Sequence, residues 1–162
     1  MNPDKINLMI VDDEEDFLNA IRRSLEIRDF HVITANRGEK ALEIAKSNPV
    51  DIAIVDLKMP GMNGLETLEA LKKAHPWMEI VILTGHGTID SAVEATQSGA
   101  YSYLQKPCEL DTLMKMLIEA YKKRVMNKQQ LAKKKMDELL KIAQGRSARE
   151  ILSRLREIDR KG

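Results

Sequence analysis

Polar residues that could do chemistry follow four separate apolar runs of the chain. In chain order they are Asp12 and Asp13, Asp56, Thr84 and Lys106. Three carboxylates brought together would repel one another unless a divalent cation or the lysine offset their charge. Carboxylate oxygens are also the ligands that hard divalent cations prefer. The set therefore indicates hard-metal and phosphate chemistry rather than a structural core.

The elements around these residues predict how they meet. Short apolar runs rich in β-branched residues alternate with stretches of helical period, which favours strands at 6–11, 31–34, 51–55, 79–83 and 100–104, and helices at 14–27, 37–47, 65–74 and 88–98. Strands that alternate with helices form an open parallel α/β sheet with helices on both faces. Ligands bind such sheets outside the carboxyl ends of the strands, where the polar residues are predicted to lie.

Composition excludes several classes of protein. The 162 residues, 43% hydrophobic and 31% charged, suit one ordinary globular domain with some chain left over, and no apolar run is long enough to span a membrane. The first residues lack the pattern of a signal peptide, and a single cysteine, Cys108, forms no internal disulfide. We therefore expect a cytoplasmic protein. No nucleophile elbow or phosphate-binding glycine loop indicates a hydrolase or phosphatase.

Charge is distributed unevenly along the chain. Residues 1–112 carry 11 Lys/Arg against 19 Asp/Glu, a net −8, whereas residues 113–162 carry 15 against 6, a net +9. The basic end is either a solvated helical face or a surface for an acidic partner, for nucleic acid or for the body itself.

Taken together in order, these motifs resemble the receiver domain of response regulators, a CheY-like family. The match runs over about residues 5–124 and rests on the acidic pair, Asp56, Thr84, the dipeptide Lys106-Pro107 and the loop 59–64, Met-Pro-Gly-Met-Asn-Gly. The stretch 83–87, Leu-Thr-Gly-His-Gly, is similar to receivers of the NtrC type. The resemblance implies a flavodoxin-like (βα)5 sheet of strand order 2-1-3-4-5, with an extended C-terminal helical tail.

The resemblance also implies that Asp56 is the residue phosphorylated, in a reaction that depends on Mg²⁺. It makes Asp13 and Asp56 direct metal ligands and the backbone carbonyl of Lys58 a third. Asp12 would act largely through bound water. The chemistry of these residues agrees with phosphorylation of Asp56. A carboxylate that attacks phosphorus needs the charge of the phosphoryl oxygens neutralised, and a divalent cation held by carboxylates does this.

Further roles follow from the family pattern. Lys106 would pair with Asp56 before the reaction and with a phosphoryl oxygen afterwards, and the Lys106–Pro107 peptide is expected to be cis. Thr84 would donate its hydroxyl to another phosphoryl oxygen, and Tyr103 would turn inward as Thr84 moves. Lys58 and His86 flank the path of attacking water and would tune the lifetime of the phosphoryl group.

The chain beyond the receiver pattern is predicted to be helical. An apolar stripe would pack the last receiver helix on the sheet and comprises Leu113, Met114, Leu117, Ile118, Tyr121 and Val125. We expect a receiver domain over 1–124 and a basic helical extension over 125–162, whose second segment is amphipathic over 147–158. A parallel coiled-coil homodimer and docking on a partner or another subunit are the alternatives for this extension.

The predicted function is a phosphoacceptor switch that modifies itself rather than turning over a substrate. A sensor histidine kinase or a phosphotransfer protein would supply the phosphoryl group, and an output protein that the sequence does not identify would receive the signal. The alternative is a nucleic-acid-binding regulator that acts through the basic tail, although no reading motif or stacking aromatic follows Tyr121. No membrane partner is expected.

Overall fold

A computed structural model describes residues 5–144 and 148–161, and its centre is a parallel sheet of five strands in the order β2-β1-β3-β4-β5. The strands are β1 Ile6–Val11, β2 Phe30–Ala35, β3 Ile52–Val55, β4 Glu79–Thr84 and β5 Ser102–Gln105. The helices are α1 Glu15–Glu26, α2 Gly38–Ser47, α3 Gly64–Ala74, α4 Ile89–Gln97, α5 Leu110–Ala143 and α6 Ala148–Lys161. The predicted fold class and strand order are confirmed.

Two apolar cores cover the two faces of the sheet. Because successive strand residues point to opposite faces, Met9 and Val11 join the core beneath α2, α3 and α4, while Leu8 and Ile10 join the core beneath α1 and α5. Strand β3 is buried along its whole length. Its unbroken apolar sequence is therefore what a central parallel strand requires.

The ends of several elements differ slightly from the predictions. Strand β5 begins two residues later than predicted, and α4 is shorter by one residue at each end, since Thr88 and Ser98 are its caps. In the predicted apolar stripe, Leu113 and Leu117 are buried, but Ile118 is 41% exposed. The prediction that Ile118 packs on the sheet was wrong, because Leu117 fills the inward position of that turn.

Helix α5 runs through the lysine-rich segment that follows the receiver pattern. Without Gly or Pro between Leu110 and Ala143, nothing in this segment interrupts the helical backbone. The chain divides into two compact units, Met1–Arg124 and Val125–Gly162. No helix among the described residues is long and apolar enough to cross a membrane.

Candidate functional site

The backbone at the carboxyl edge of the sheet holds the predicted site residues one step beyond their strands. The Asp12 N–H donates to the Ala35 carbonyl at 3.1 Å, and the Asp56 N–H donates to the Val11 carbonyl at 3.0 Å. These bonds continue the parallel ladder past the last paired residues, so the two carboxylates leave neighbouring strands at the same level.

Three carboxylates converge at this edge. Single carboxylate oxygens of Asp12, Asp13 and Asp56 all lie within 4.8 Å of one another. Asp12 and Asp56 are 1% and 2% exposed, whereas Asp13 is open to solvent. The Oδ1 atom of Asp56 is buried without a hydrogen-bond partner. A buried unpartnered carboxylate oxygen beside two further carboxylates fits a hard divalent cation.

Lys106 supplies the positive charge of this cluster. Its Nζ lies 2.6 Å from Asp12 Oδ2 and 3.8 Å from Asp56 Oδ2, and 3.9 Å above the centre of the Phe17 ring. The pair with Asp56 that the sequence predicted is present, and a shorter contact joins Lys106 to Asp12. The Lys106–Pro107 peptide is cis, as predicted.

The environment of Asp12 raises the pKa of its carboxyl above the ordinary value of 3.8. Burial is the largest cause, since it penalises the charged form. The Lys106 ammonium and the Glu14 N–H, which donates to Asp12 Oδ1 at 2.9 Å, offset part of this effect. Asp12 is therefore a carboxylate that is costly to ionise where it lies, and a cation bound beside it would stabilise its charged form.

The loop after Asp56 is packed tightly against the strand end. A Cβ added at Gly64 would overlap the Asp56 carbonyl oxygen and would lie 2.5 Å from Leu57 Cα. Gly64 N–H donates to the Leu57 carbonyl at 2.9 Å, and α3 begins immediately after the Asn63 cap. Only glycine allows this close approach, which fixes the backbone that carries Asp56.

Thr84 and Tyr103 lie on neighbouring strands but do not contact each other through a hydrogen bond. Thr84 is fully buried, and its hydroxyl oxygen accepts from the His86 N–H at 3.1 Å. The half-buried Tyr103 places its hydroxyl 3.2 Å from Ser91 Oγ, and Gly87 leaves the space that the ring edge fills. Both predicted switch residues therefore contact the segment that leads into α4.

Ser91 is the residue of this region that the sequence did not single out. It completes a capping box, in which Thr88 Oγ1 accepts from the Ser91 N–H at 3.1 Å and Ser91 Oγ accepts from the Thr88 N–H at 2.8 Å. The pattern Thr-x-x-Ser at residues 88–91 could have indicated this cap. Nothing in the sequence indicated that Tyr103 would bond to it.

Lys58 and His86 line one shallow depression, and both side chains are exposed. The rest of its wall consists of Leu57, Met59, Asn63, Leu65 and Ser91. The structure thus brings the two residues predicted to tune phosphoryl lifetime to the same side of the site.

Comparison with known proteins agrees with this geometry. The family model for the response regulator receiver domain matches residues 8–118. The chain belongs to the response regulator receiver family. It is therefore the receiver domain of a two-component response regulator, with the basic segment 125–162 attached.

Individual relatives of this receiver support the assignment. A putative NtrX-like response regulator of Rickettsia bellii is 42% identical over 117 residues, which cover 71% of this chain and 24% of that protein. The chain thus spans about a quarter of the length of the curated relatives that it matches. A CheY-like receiver from Methanospirillum hungatei JF-1 superposes with a TM-score of 0.74 at 26% identity, covering 76% of this chain and 98% of that one.

A third relative has a modified site. A Burkholderia pseudomallei response regulator, whose structure contains a phosphorylated aspartic acid, a calcium ion and citrate, is 30% identical. Its TM-score is 0.67, and the match covers 76% of this chain and 73% of that one.

Proposed function

We propose that this receiver accepts a phosphoryl group on Asp56 from a phosphorylated histidine of a sensor kinase or phosphotransfer protein, in a reaction that requires Mg²⁺. The main support for the proposal is the Asp56 carboxylate, whose Oδ1 is buried without a hydrogen-bond partner and lies beside two other carboxylates. Its other oxygen, Oδ2, lies 3.8 Å from Lys106 Nζ. The Asp56 carboxylate is thus held in place, with one oxygen free of hydrogen bonds, and its two oxygens can divide the roles of metal ligand and nucleophile.

The proposed step is a displacement at phosphorus. A carboxylate oxygen of Asp56 forms the new O–P bond, the N–P bond to the donor imidazole breaks, and the electron pair returns to the imidazole nitrogen, which takes up a proton. Lys106 moves its ammonium toward a phosphoryl oxygen, and Thr84 donates its hydroxyl to another, so that negative charge is balanced as it gathers.

The acidic cluster would hold the Mg²⁺ ion. Asp13 and Asp56 would bind it directly, with the backbone carbonyl of Lys58, and Asp12 through water. When bound, the ion neutralises phosphoryl oxygens and lowers the charge that the Asp56 oxygen must approach. The donor set supports Mg²⁺, because it consists of oxygen atoms with room left for water and phosphate oxygens.

Thr84 and Tyr103 would pass the conformational change from the phosphorylated Asp56 to the surface at α4 and β5. As Thr84 turns its hydroxyl to the phosphoryl group, the His86 N–H loses its acceptor and the loop to α4 changes. Tyr103 then turns inward and leaves Ser91. The proposed output is thus a changed surface at α4 and β5, which an output protein would bind.

Lys58 and His86 would set how long the phosphoryl group lasts. They line the depression through which water would reach the aspartyl phosphate. The Lys58 ammonium can only donate hydrogen bonds, whereas the His86 ring can order water. Substituting either residue should change the dephosphorylation rate without changing Mg²⁺ affinity.

The protein would catalyse only its own phosphorylation and dephosphorylation.

In the described part of α5 beyond Arg124, the apolar side chains of Met126, Met136 and Leu140 are more than half exposed. They support association of this helix with a second copy or with the output protein.

The test is incubation with Mg²⁺ and acetyl phosphate, followed by intact mass, with Asp56→Asn as the control. The proposal expects a gain of one phosphoryl group that requires Mg²⁺ and is absent from the control. Equal labelling of both proteins, or none despite measured Mg²⁺ binding, would overturn it.

A further inference from the structure

Seven of the eight charged residues of α6 fall into two rows on its surface, and the eighth, Asp159, lies outside both rows. Residues spaced by four, three and four positions lie above one another along a helix. The first row, which we call the arginine row, contains Arg149, Ser153, Arg156 and Arg160. The second, which we call the mixed row, contains Glu150, Arg154, Glu157 and Lys161. The rows adjoin, yet their charges are arranged differently.

The mixed row balances its own charge. It alternates acid and base, and Arg154 Nη1 lies 2.8 Å from Glu157 Oε2. Glu150 also has an interaction partner. The mixed row therefore has a net charge of zero.

The arginine row has three positive charges and no acid. All four of its side chains are exposed, and, among the residues that the structure describes, none of the three arginines forms an ion pair. The opposite face of the helix is apolar, with Ile151, Leu155 and Ile158 partly buried. The row is thus a strip of unneutralised guanidinium groups that the packing of α6 directs to solvent.

We propose that the arginine row binds the phosphate backbone of duplex nucleic acid. Arg149 and Arg160 are eleven residues apart, which is about 16 Å along a helix. A duplex carries one negative charge per about 1.7 Å, so phosphates can meet all three guanidinium groups at once. Guanidinium groups bind phosphate with two hydrogen bonds, and the Ser153 hydroxyl between them is a further phosphate donor.

The other side chains of this segment favour duplex backbone over the alternatives. No aromatic residue follows Tyr121, so the segment has no ring on which the bases of a single strand could stack. A protein partner would call for aromatic or clustered apolar anchors. Within the described part of α6, Leu152 is the only large apolar side chain that is exposed.

The experiment measures how duplex binding by the full chain depends on salt. A labelled 20-base-pair duplex is titrated by fluorescence anisotropy between 50 and 200 mM salt, with wild type and with Arg149→Gln/Arg156→Gln/Arg160→Gln. Three phosphate contacts contribute about −2.7 to the slope of log affinity against log salt, or about a 40-fold loss over this range. We expect the triple variant to lose that part of the slope.

Two matched variants separate the row from net charge. Lys40→Gln/Lys46→Gln/Lys73→Gln removes three exposed charges from the first unit and should keep the wild-type slope. Arg149→Lys/Arg156→Lys/Arg160→Lys keeps the charge and should also keep the slope. Circular dichroism establishes that all variants retain their helices, since Gln and Lys match Arg closely in helix propensity.

Four results would overturn the proposal. Three are absence of duplex binding by the wild type, a slope that changes by less than about 2 in the Arg-to-Gln triple variant, and an equal loss of slope in Lys40→Gln/Lys46→Gln/Lys73→Gln. Polyglutamate that displaces the duplex at equal charge concentration would also overturn it, because the row would then be a site for acidic polypeptides.

Discussion

At the scale of single residues, Lys106 and Asp12 form the closest charged pair of the site, at 2.6 Å. Lys106 forms ion pairs with two carboxylates of the proposed Mg²⁺ site, so it competes with Mg²⁺ binding before the reaction. During the reaction it would assist binding of the phosphoryl group. Lys106→Met removes the charge and keeps the chain length. We expect Mg²⁺ affinity, measured by calorimetry, to be at least that of the wild type, and phosphorylation to slow by about 100-fold. Weaker Mg²⁺ binding by this variant would contradict the account.

The buried carboxyl of Asp12 should make both the stability of the protein and its Mg²⁺ affinity depend on pH. Since its pKa is raised above 3.8, the metal-free folded protein holds this proton more tightly than the unfolded chain does. Stability should therefore fall as the pH rises from about 3.8 through the raised pKa. Mg²⁺ affinity should change in the opposite direction and fall as the pH is lowered through the same range, because protons compete with the metal.

Calorimetric titrations with Mg²⁺ at a series of pH values would measure this competition. Asp12→Asn should lose the corresponding step in both affinity and stability, and a step of the same size in that variant would contradict the assignment to Asp12.

At the scale of elements, the start of α4 joins the proposed switch to the helix surface. Ser91 both caps α4 and contacts the Tyr103 hydroxyl at 3.2 Å. Ser91→Ala should lower the free energy of unfolding by about 1 kcal/mol, because the cap and the tyrosine contact are lost together. Denaturant titration measures this change.

Thr96→Ala is the matched control, because the Thr96 hydroxyl donates to the carbonyl of Ala92 within the same helix. It should leave stability unchanged or slightly higher, since Ala favours helix more than Thr does. Equal destabilisation by the two variants would show that Ser91 contributes no more than an ordinary exposed helical hydroxyl.

The strands could be predicted from the sequence, whereas two side-chain contacts of the site could not. The strands were predictable because apolar runs such as Ile52–Val55 are short and β-branched, and parallel strands bring their carboxyl ends to one edge. The shorter contact of Lys106 to Asp12 was not predictable, since it depends on the side-chain conformation that Lys106 adopts between two neighbouring carboxylates. The bond from Tyr103 to Ser91 likewise depends on how α4 is rotated against β5.

At the scale of the whole molecule, the sheet and its two cores are complete without the basic segment. Among the described residues, neither core includes a residue beyond Tyr121. We therefore predict that a chain ending at Arg124 folds by itself, with a melting temperature close to that of the full chain in thermal scans. Mg²⁺-dependent phosphorylation should also persist. An unfolded fragment would show that 125–162 stabilises the sheet.

Asp56 is proposed to take its phosphoryl group from a nitrogen atom of the donor. The most direct measurement uses phosphoramidate, a small N–P donor, with Mg²⁺, followed by borohydride reduction, which converts an aspartyl phosphate to homoserine, and peptide mass mapping. We predict homoserine at position 56 alone, formed only with Mg²⁺ and absent from Asp56→Asn. Reduction at another carboxylate, or labelling that is independent of Mg²⁺, would contradict the account.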